Sequence, residues 1–167
     1  MKVFVEEQRF TQWWLYFIIA LTIIILLVKE KFSIKDNESV GSLVFSMIIL
    51  SLILVLFLLL KLTTKIDERG IKYKFEPFHF SSKLIAWNDI SKCYVRKYKP
   101  IIEYGGWGLK GGTFWNKSKG VAYNVKGNIG LQLVLKNGKK ILIGTQQEND
   151  LKRVLLTYKY KIIDNEN

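Results

Sequence analysis

Three glycines, Gly106, Gly108 and Gly111, have the spacing of a dinucleotide-binding motif. In that motif a strand precedes the glycines and a helix follows them, so that a phosphate lies at the helix N-terminus. Here residues 112–115 do not begin a helix, and no acidic residue lies about twenty positions further on. The pattern therefore predicts a surface loop and no nucleotide cofactor.

The 167-residue chain has one histidine and one cysteine, His79 and Cys93. A lone cysteine excludes a disulfide within the chain and a multi-cysteine zinc site. We interpret His79 as an edge-strand side chain and Cys93 as a small core residue. Because no catalytic motif accompanies them, the sequence predicts a protein that is not an enzyme and uses no cofactor or metal. An enzyme that depends on His79 or Cys93 is the remaining alternative.

The glycine-rich loop, residues 104–123, also carries aromatic and basic side chains. Exposed Trp and Phe beside Lys insert at lipid headgroups, and the same residue types anchor protein interfaces. Packing of the Trp side chains back over the domain is the third interpretation. The candidate lipid or partner contacts are Trp107, Lys110, Phe114, Trp115, Lys117 and Lys119, together with Arg96 and Lys97.

Two apolar stretches, residues 10–28 and 40–62, are long enough to cross a membrane. As helices they span about 28 and 34 Å, against a hydrocarbon core of about 30 Å. Large apolar residues on every face do not fit a core helix of a soluble domain. The first stretch does not fit a cleaved signal peptide, because Glu6 and Glu7 precede it and no small-residue cleavage site follows. We therefore expect a transmembrane hairpin over residues 1–62 and a second domain over residues 63–167.

The net charge of +12 lies almost wholly in residues 63–167. Seven basic residues flank the predicted hairpin (Lys2, Arg9 and five between 61 and 74), against three between the spans, which favours both termini in the cytoplasm. The same charge attracts anionic lipid, although a cytoplasmic segment that only follows the positive-inside rule would also be basic. A nucleic-acid partner is not expected, because no recognition motif accompanies the charge.

Residues 63–144 alternate apolar and polar side chains in short runs, which is typical of half-buried strands. In the fourth of these runs Cys93 is expected to face inward and Tyr98 outward. The seven predicted strands are residues 63–67, 71–76, 82–87, 90–98, 120–125, 129–135 and 140–144.

Turn and cap signals divide the end of the chain. Asn137-Gly138 predicts a tight hairpin between the last two strands. Thr145 and Glu148 have the spacing of a capping box, with Thr145 as the N-cap. An apolar stripe at helical spacing follows, which predicts a C-terminal amphipathic helix, and its members are Leu151, Val154, Leu155 and Tyr158.

This order of elements resembles a pleckstrin-homology (PH)-like domain. The chain is similar to bacterial PH-like membrane proteins at residues 66–71, 85–90, 104–108, 137–140 and 143–146, in order along essentially its whole length. The resemblance implies an α+β membrane protein, in which a two-helix transmembrane hairpin precedes a PH-like antiparallel β-barrel or sandwich capped by a helix. It implies no particular ligand, because PH-like domains have many unrelated binding roles.

One departure from the PH-like pattern concerns phosphoinositides. Domains that bind these lipids place a Lys/Arg cluster in the loop between their first two strands, where this chain has only Arg69 beside Glu68 and Gly70. Specific capture of a headgroup is therefore not expected.

These patterns predict a non-catalytic, multi-pass protein of the cell membrane. Its basic PH-like domain lies at the cytoplasmic face for binding or scaffolding, with anionic lipid as one contact. The alternative is a docking or accessory subunit of another membrane protein complex. Ser46 and Ser51 in the second span favour helix–helix contacts in that case.

Overall fold

The computed structural model of the chain describes residues 2–11, 13–32, 38–111 and 120–163. The described residues form an α+β protein with two β-sheets and a C-terminal helix, as the sequence predicted. The strands are β1 (Phe4–Arg9), β2 (Lys61–Asp67), β3 (Gly70–Glu76), β4 (Lys83–Ala86), β5 (Ile90–Lys97), β6 (Gly108–Gly111), β7 (Val121–Asn124), β8 (Ile129–Leu135) and β9 (Lys140–Gly144).

Two long helices and three short ones accompany the strands, and a 3-10 turn at Trp87–Asp89 links β4 to β5. The helices are α1 (Trp13–Phe32), α2 (Glu38–Leu59), α3 (Pro100–Tyr104), α4 (Glu148–Tyr158) and α5 (Tyr160–Ile163).

The chain divides into two compact units. The apolar insert is Phe10–Leu59, and the β unit combines Met1–Arg9 with Leu60–Asn167. The sequence placed the boundary between residues 62 and 63 and assigned the N-terminus to the hairpin. The structure differs because β1 pairs with β2, and β2 begins at Lys61 inside the predicted second span.

The apolar insert consists of α1 and α2, which pack against each other. Among the described residues, α2 contains the one helical segment long and apolar enough to cross a membrane, Gly41–Leu59. None of that segment is buried inside the structure. In α1 the apolar stretch Tyr16–Val28 is shorter. The rings of Phe10 and Phe57 meet edge to face at 5.4 Å.

The first sheet has the strand order β1-β2-β3-β4, and all of its pairs are antiparallel. β1 was not predicted. It lies at the edge of the sheet in register with β2, from Phe4 opposite Ile66 to Arg9 opposite Lys61. The indole of Trp87 donates a hydrogen bond to the Asp67 carbonyl (3.0 Å), which ties the 3-10 turn to the end of β2.

The second sheet has the order β5-β8-β9-β7-β6 and is mixed. β7 runs parallel to β9, so the expectation of an all-antiparallel domain is wrong at this pair. β6, a second strand that the sequence did not predict, lies within the glycine-rich loop. The predicted hairpin between β8 and β9 is present, with Gly138 at a φ of 80° and its N–H bonded to the Leu135 carbonyl (2.9 Å).

The helix α4 buries Leu151, Val154 and Tyr158, as its apolar stripe predicted. It begins later than the capping box predicted. Gln147 is the N-cap and makes no side-chain cap bond. Thr145 is therefore not the N-cap, although its hydroxyl accepts the Gln147 N–H (3.0 Å) while it donates to the buried Glu6 of β1 (2.6 Å).

Candidate functional site

Arg96 of β5 fastens α3 to the second sheet. Its guanidinium pairs with Glu103 of α3 (2.8 Å) and donates to Gln132 of β8 (3.0 Å) and to the Tyr104 hydroxyl (3.3 Å). Burial by itself would lower the pKa of Arg96, but the bond and charge of Glu103 raise it above its ordinary value. The guanidinium of Arg96 is therefore already hydrogen-bonded to groups within the protein.

Glu103 also bonds to Lys99, the residue that precedes α3. One of its carboxylate oxygens accepts the Lys99 N–H (2.8 Å), and the other pairs with Arg96. With Glu103 and the buried Tyr104 turned inward, α3 presents Ile101 and Ile102 to solvent, and their side chains are 67% and 68% exposed. No helix was predicted at residues 100–104, so this apolar pair was not among the predicted site residues.

Tyr98, which the sequence placed on the outer face, is buried. Its hydroxyl accepts a hydrogen bond from the side-chain amide of Asn124 (2.9 Å), and the side-chain Oδ1 of Asn124 accepts the Gly108 N–H (2.8 Å). Burial raises the pKa of Tyr98 to about 12. This bridge fixes the start of β6, where Gly108 has a φ of 117° that glycine adopts without strain.

The candidate contact residues are not gathered in one patch within the described part of the chain. Trp107 is half-buried, and its indole donates to the Gly127 carbonyl (2.9 Å), so this side chain packs back onto the domain. Lys110 is half-buried in β6, and Lys97 is exposed at the end of β5. The remaining candidates lie outside the described residues: Phe114, Trp115, Lys117 and Lys119.

His79 lies in the connection after β3 and is buried. Its Nδ1 accepts the Phe75 N–H (3.2 Å), and its ring lies 5.2 Å from the ring of Tyr123 and 5.8 Å from that of Tyr73. Burial and the nearby Lys83 lower the pKa of His79, so the imidazole is neutral at pH 7. The residue was expected on an edge strand, and the structure instead gives it a role in holding a loop.

Cys93 lines an apolar groove of about 300 Å³ between β5 and the helices α4 and α5. Burial raises the pKa of its thiol to about 12. A nucleophilic cysteine requires the opposite shift, because the thiolate is the reactive form. The groove is also lined by Leu155 and Leu156, with Lys152 and Lys159 beside them.

Within the described ranges, no group of three or more His, Cys, Asp or Glu side chains is placed to hold a metal ion. Comparison with known proteins finds no family model, no curated protein and no solved structure that matches the chain.

Proposed function

We propose that the chain is a non-catalytic integral membrane protein that presents a PH-like β unit at the cytoplasmic membrane face for binding or scaffolding. The observation that carries this proposal is the pairing of Arg9 with Lys61 between β1 and β2. The chain leaves the β unit at Arg9 and re-enters it at the neighbouring Lys61. The apolar insert between them must therefore begin and end on one side of any membrane it enters.

The same pairing supports two crossings. If α2 crosses the membrane once, β1 can pair with β2 only if the chain also crosses elsewhere in the insert. α1 is the helix that precedes α2, and its 20 residues correspond to about 30 Å, the thickness of the hydrocarbon core. A hairpin of α1 and α2 meets this requirement, even though the apolar part of α1 is short.

The distribution of charge supports the cytoplasmic side and a lipid contact. The apolar insert holds three lysines and three acidic residues, so the β unit carries the entire net charge of +12, with 23 Lys and Arg against 11 Asp and Glu. Basic segments are retained on the cytoplasmic side. Near an anionic leaflet each such residue gains about 1 kcal/mol of attraction.

The lipid contact can be tested with the full chain in nanodiscs. We expect amide hydrogen exchange in residues 104–123 to be slower in bilayers with anionic lipid than in neutral ones. Reversing the charge at Lys110, Lys117 and Lys119 should abolish the difference. A matched triple reversal at Lys2, Lys152 and Lys159 changes the net charge equally and should preserve it. Equal exchange in both bilayers would mean that the charge only sets topology.

The crossings can be tested by cysteine accessibility in a Cys93→Ala background. A cysteine at residue 35, between α1 and α2, should react with an impermeant thiol reagent applied outside intact cells. A cysteine at Lys139, in the β8–β9 turn, should react only after permeabilisation. Reaction of both positions from the same side would contradict a cytoplasmic β unit.

A docking role for another membrane protein is the second candidate, and the exposed Ile101 and Ile102 favour it. An exposed apolar pair on a helix held by Arg96 and Glu103 is typical of a protein contact. Purification in mild detergent should then co-isolate a partner, and Ile101→Ser with Ile102→Ser should release it. Isolation of this chain alone at monomer mass would contradict the docking role.

A further inference from the structure

The connection between β3 and β4, residues 77–82, presents an aromatic side chain entirely to solvent. Phe80 is 98% exposed and Phe78 is 50% exposed. Phe78 stacks on the core residue Phe75 with ring centroids 6.0 Å apart, so one phenylalanine supports the base of the loop while the other projects from it. We call residues 77–82 the Phe80 loop.

The exposure of Phe80 is part of a held conformation. His79, between the two phenylalanines, is buried, and its backbone N–H donates to the Phe75 carbonyl (2.8 Å). Its imidazole Nδ1 accepts the Phe75 N–H (3.2 Å), so both backbone polar groups of Phe75 are bonded to this residue. The side chain before Phe80 is therefore locked inward, and Phe80 is directed outward, where a large apolar surface in water is unfavourable.

The Phe80 loop lies at one particular end of the first sheet. β3 ends at Glu76, which is in register with Lys61 and pairs with it at 3.1 Å. Lys61 is in turn opposite Arg9. These are the residues at which the chain passes into and out of the apolar insert. The start of β1 at Phe4 and the turn after β2 lie at the opposite end of the sheet.

The charges beside the loop are those of a membrane interface. Lys74 and Lys61 pair with Glu76 at 2.6 and 3.1 Å, and Lys61 also pairs with Glu7 at 3.6 Å. The exposed Lys83 follows the loop. An aromatic side chain next to lysines is favoured at the boundary between headgroups and acyl chains, where the ring is buried and the ammonium groups meet phosphate.

We propose that Phe80, supported by Phe78, inserts into the headgroup–acyl boundary of the membrane and docks the first sheet on the bilayer surface. This inference rests on the proposed function, because it takes the apolar insert to lie in that bilayer. It adds a lipid contact outside the glycine-rich loop, made by a segment with no charge of its own.

The test places a fluorescent probe next to Phe80 without removing it. In the full chain with Cys93→Ala, a Ser81→Cys variant labelled with an environment-sensitive dye is reconstituted into vesicles containing shallow spin-labelled lipid. We expect quenching at residue 81. A probe at Leu156 on α4 is the control. That side chain is apolar and 71% exposed, but its helix is bonded through Tyr158 to Lys2, at the other end of the first sheet. We expect no quenching there.

Substitution separates insertion from mere proximity. Phe80→Ser should lower the ratio of docked to undocked loop about tenfold, the effect of losing one buried aromatic side chain, and so reduce quenching at residue 81. Leu156→Ser, an equal change elsewhere, should leave it unaltered. Quenching at residue 81 no stronger than at residue 156, or unaffected by Phe80→Ser, would overturn the proposal.

A third probe distinguishes failure of the Phe80 docking from failure of the proposed function. A label at Leu52 in α2 should be quenched by deep spin-labelled lipid. Quenching at residue 52 without quenching at residue 81 would overturn the Phe80 docking and leave the proposed function intact. No quenching at residue 52 would overturn both. Shielding of residue 81 that depends on protein concentration and not on spin-labelled lipid would indicate a second copy and also overturn the proposal.

Discussion

Glu6 and Thr145 are joined by a 2.6 Å hydrogen bond although 139 residues separate them in the sequence. The other carboxylate oxygen of Glu6 accepts the Gln146 N–H (2.7 Å). On the same face of β1, Gln8 donates to the Gly144 carbonyl (2.7 Å). The first strand is thus bonded to the end of the last strand, and the β unit is closed by residues on both sides of the apolar insert.

Glu6→Ala should destabilise the β unit by about 3 kcal/mol, because it removes two hydrogen bonds to a buried carboxylate and leaves the Thr145 hydroxyl without its acceptor. The expected fall in melting temperature is about 10 °C. Circular dichroism of the full chain in detergent measures it. Glu7→Ala, at the neighbouring and exposed carboxylate, should change the melting temperature by less than about 2 °C.

Removal of the apolar insert should leave a folded β unit. Because Arg9 lies opposite Lys61, a short glycine-containing turn can replace residues 10–60 and join β1 directly to β2. We expect a soluble protein with a cooperative thermal transition. A fragment of residues 63–167 lacks β1 and the start of β2, and should aggregate through the uncovered edge of the sheet. Equal behaviour of the two proteins would show that β1 is dispensable.

Arg96→Ala should destabilise the protein by about 2–3 kcal/mol, because it leaves Glu103 partly buried without its cation and breaks the bond to Gln132. Lys97→Ala, at the next and exposed position, should cost less than about 0.5 kcal/mol. Denaturant unfolding followed by tryptophan fluorescence compares the two. Similarly small losses of stability in the two variants would contradict the role of Arg96 in holding α3 to the second sheet.

Stability should decrease as the pH falls below about 6.5. The pKa of His79 is lowered from its unfolded value of 6.5, so between the two pKa values the unfolded state binds more protons and acid favours it. One such proton contributes at most about 1.4 kcal/mol per pH unit. The pKa of Glu76 is lowered by Lys74 and then Lys61, so its stabilisation is lost only below its ordinary 4.5.

The two pH windows can be separated by one substitution. His79→Asn keeps an acceptor for the Phe75 N–H and does not titrate. The pH dependence of its melting temperature should be flatter just below pH 6.5, whereas the loss of stability that Glu76 causes below pH 4.5 should remain. An unaltered profile across the upper window would exclude His79 as its source.

The thiol of Cys93 should react with alkylating reagents about a thousandfold more slowly than an ordinary cysteine at pH 8, because a pKa of about 12 leaves almost no thiolate. Mass spectrometry of the alkylated protein measures the rate, with Ser81→Cys in a Cys93→Ala background as the exposed comparison. Rapid alkylation of native Cys93 would contradict the raised pKa of its thiol and reopen a catalytic interpretation.

The sequence failed to predict β1 because the strand inverts the usual pattern. Val3 and Val5 are exposed, whereas Glu6 and Gln8 are buried. Alternation is read from hydrophobicity, and two of the three inward side chains of β1 are polar, so only Phe4 marks its buried face. β6 was missed because two of its four residues, Gly108 and Gly111, are glycines, which carry no side chain from which a face can be read.

In the candidate site, too, the sequence indicated some residues but not their partners. The sequence pointed to Arg96 and Trp107 by type, as a cation and an aromatic in or near a glycine-rich segment. Their partners, Gln132 and Gly127, lie 36 and 20 residues away and have no pattern that marks them as acceptors. The residue types of Phe80 and His79 likewise fit an ordinary edge strand. They did not indicate that the first is exposed and the second buried.

The sequence by itself determined what depends on near neighbours along the chain. These are the apolar character of the insert, seven strands by alternation, the turn at Asn137-Gly138 and the buried stripe of α4. The tertiary structure decided that β1 joins the first sheet, that β7 runs parallel to β9, and that Thr145 bonds to Glu6 while α4 begins only after Gln147. These depend on partners distant in the sequence, and a hydrogen bond leaves no periodicity by which either partner identifies the other.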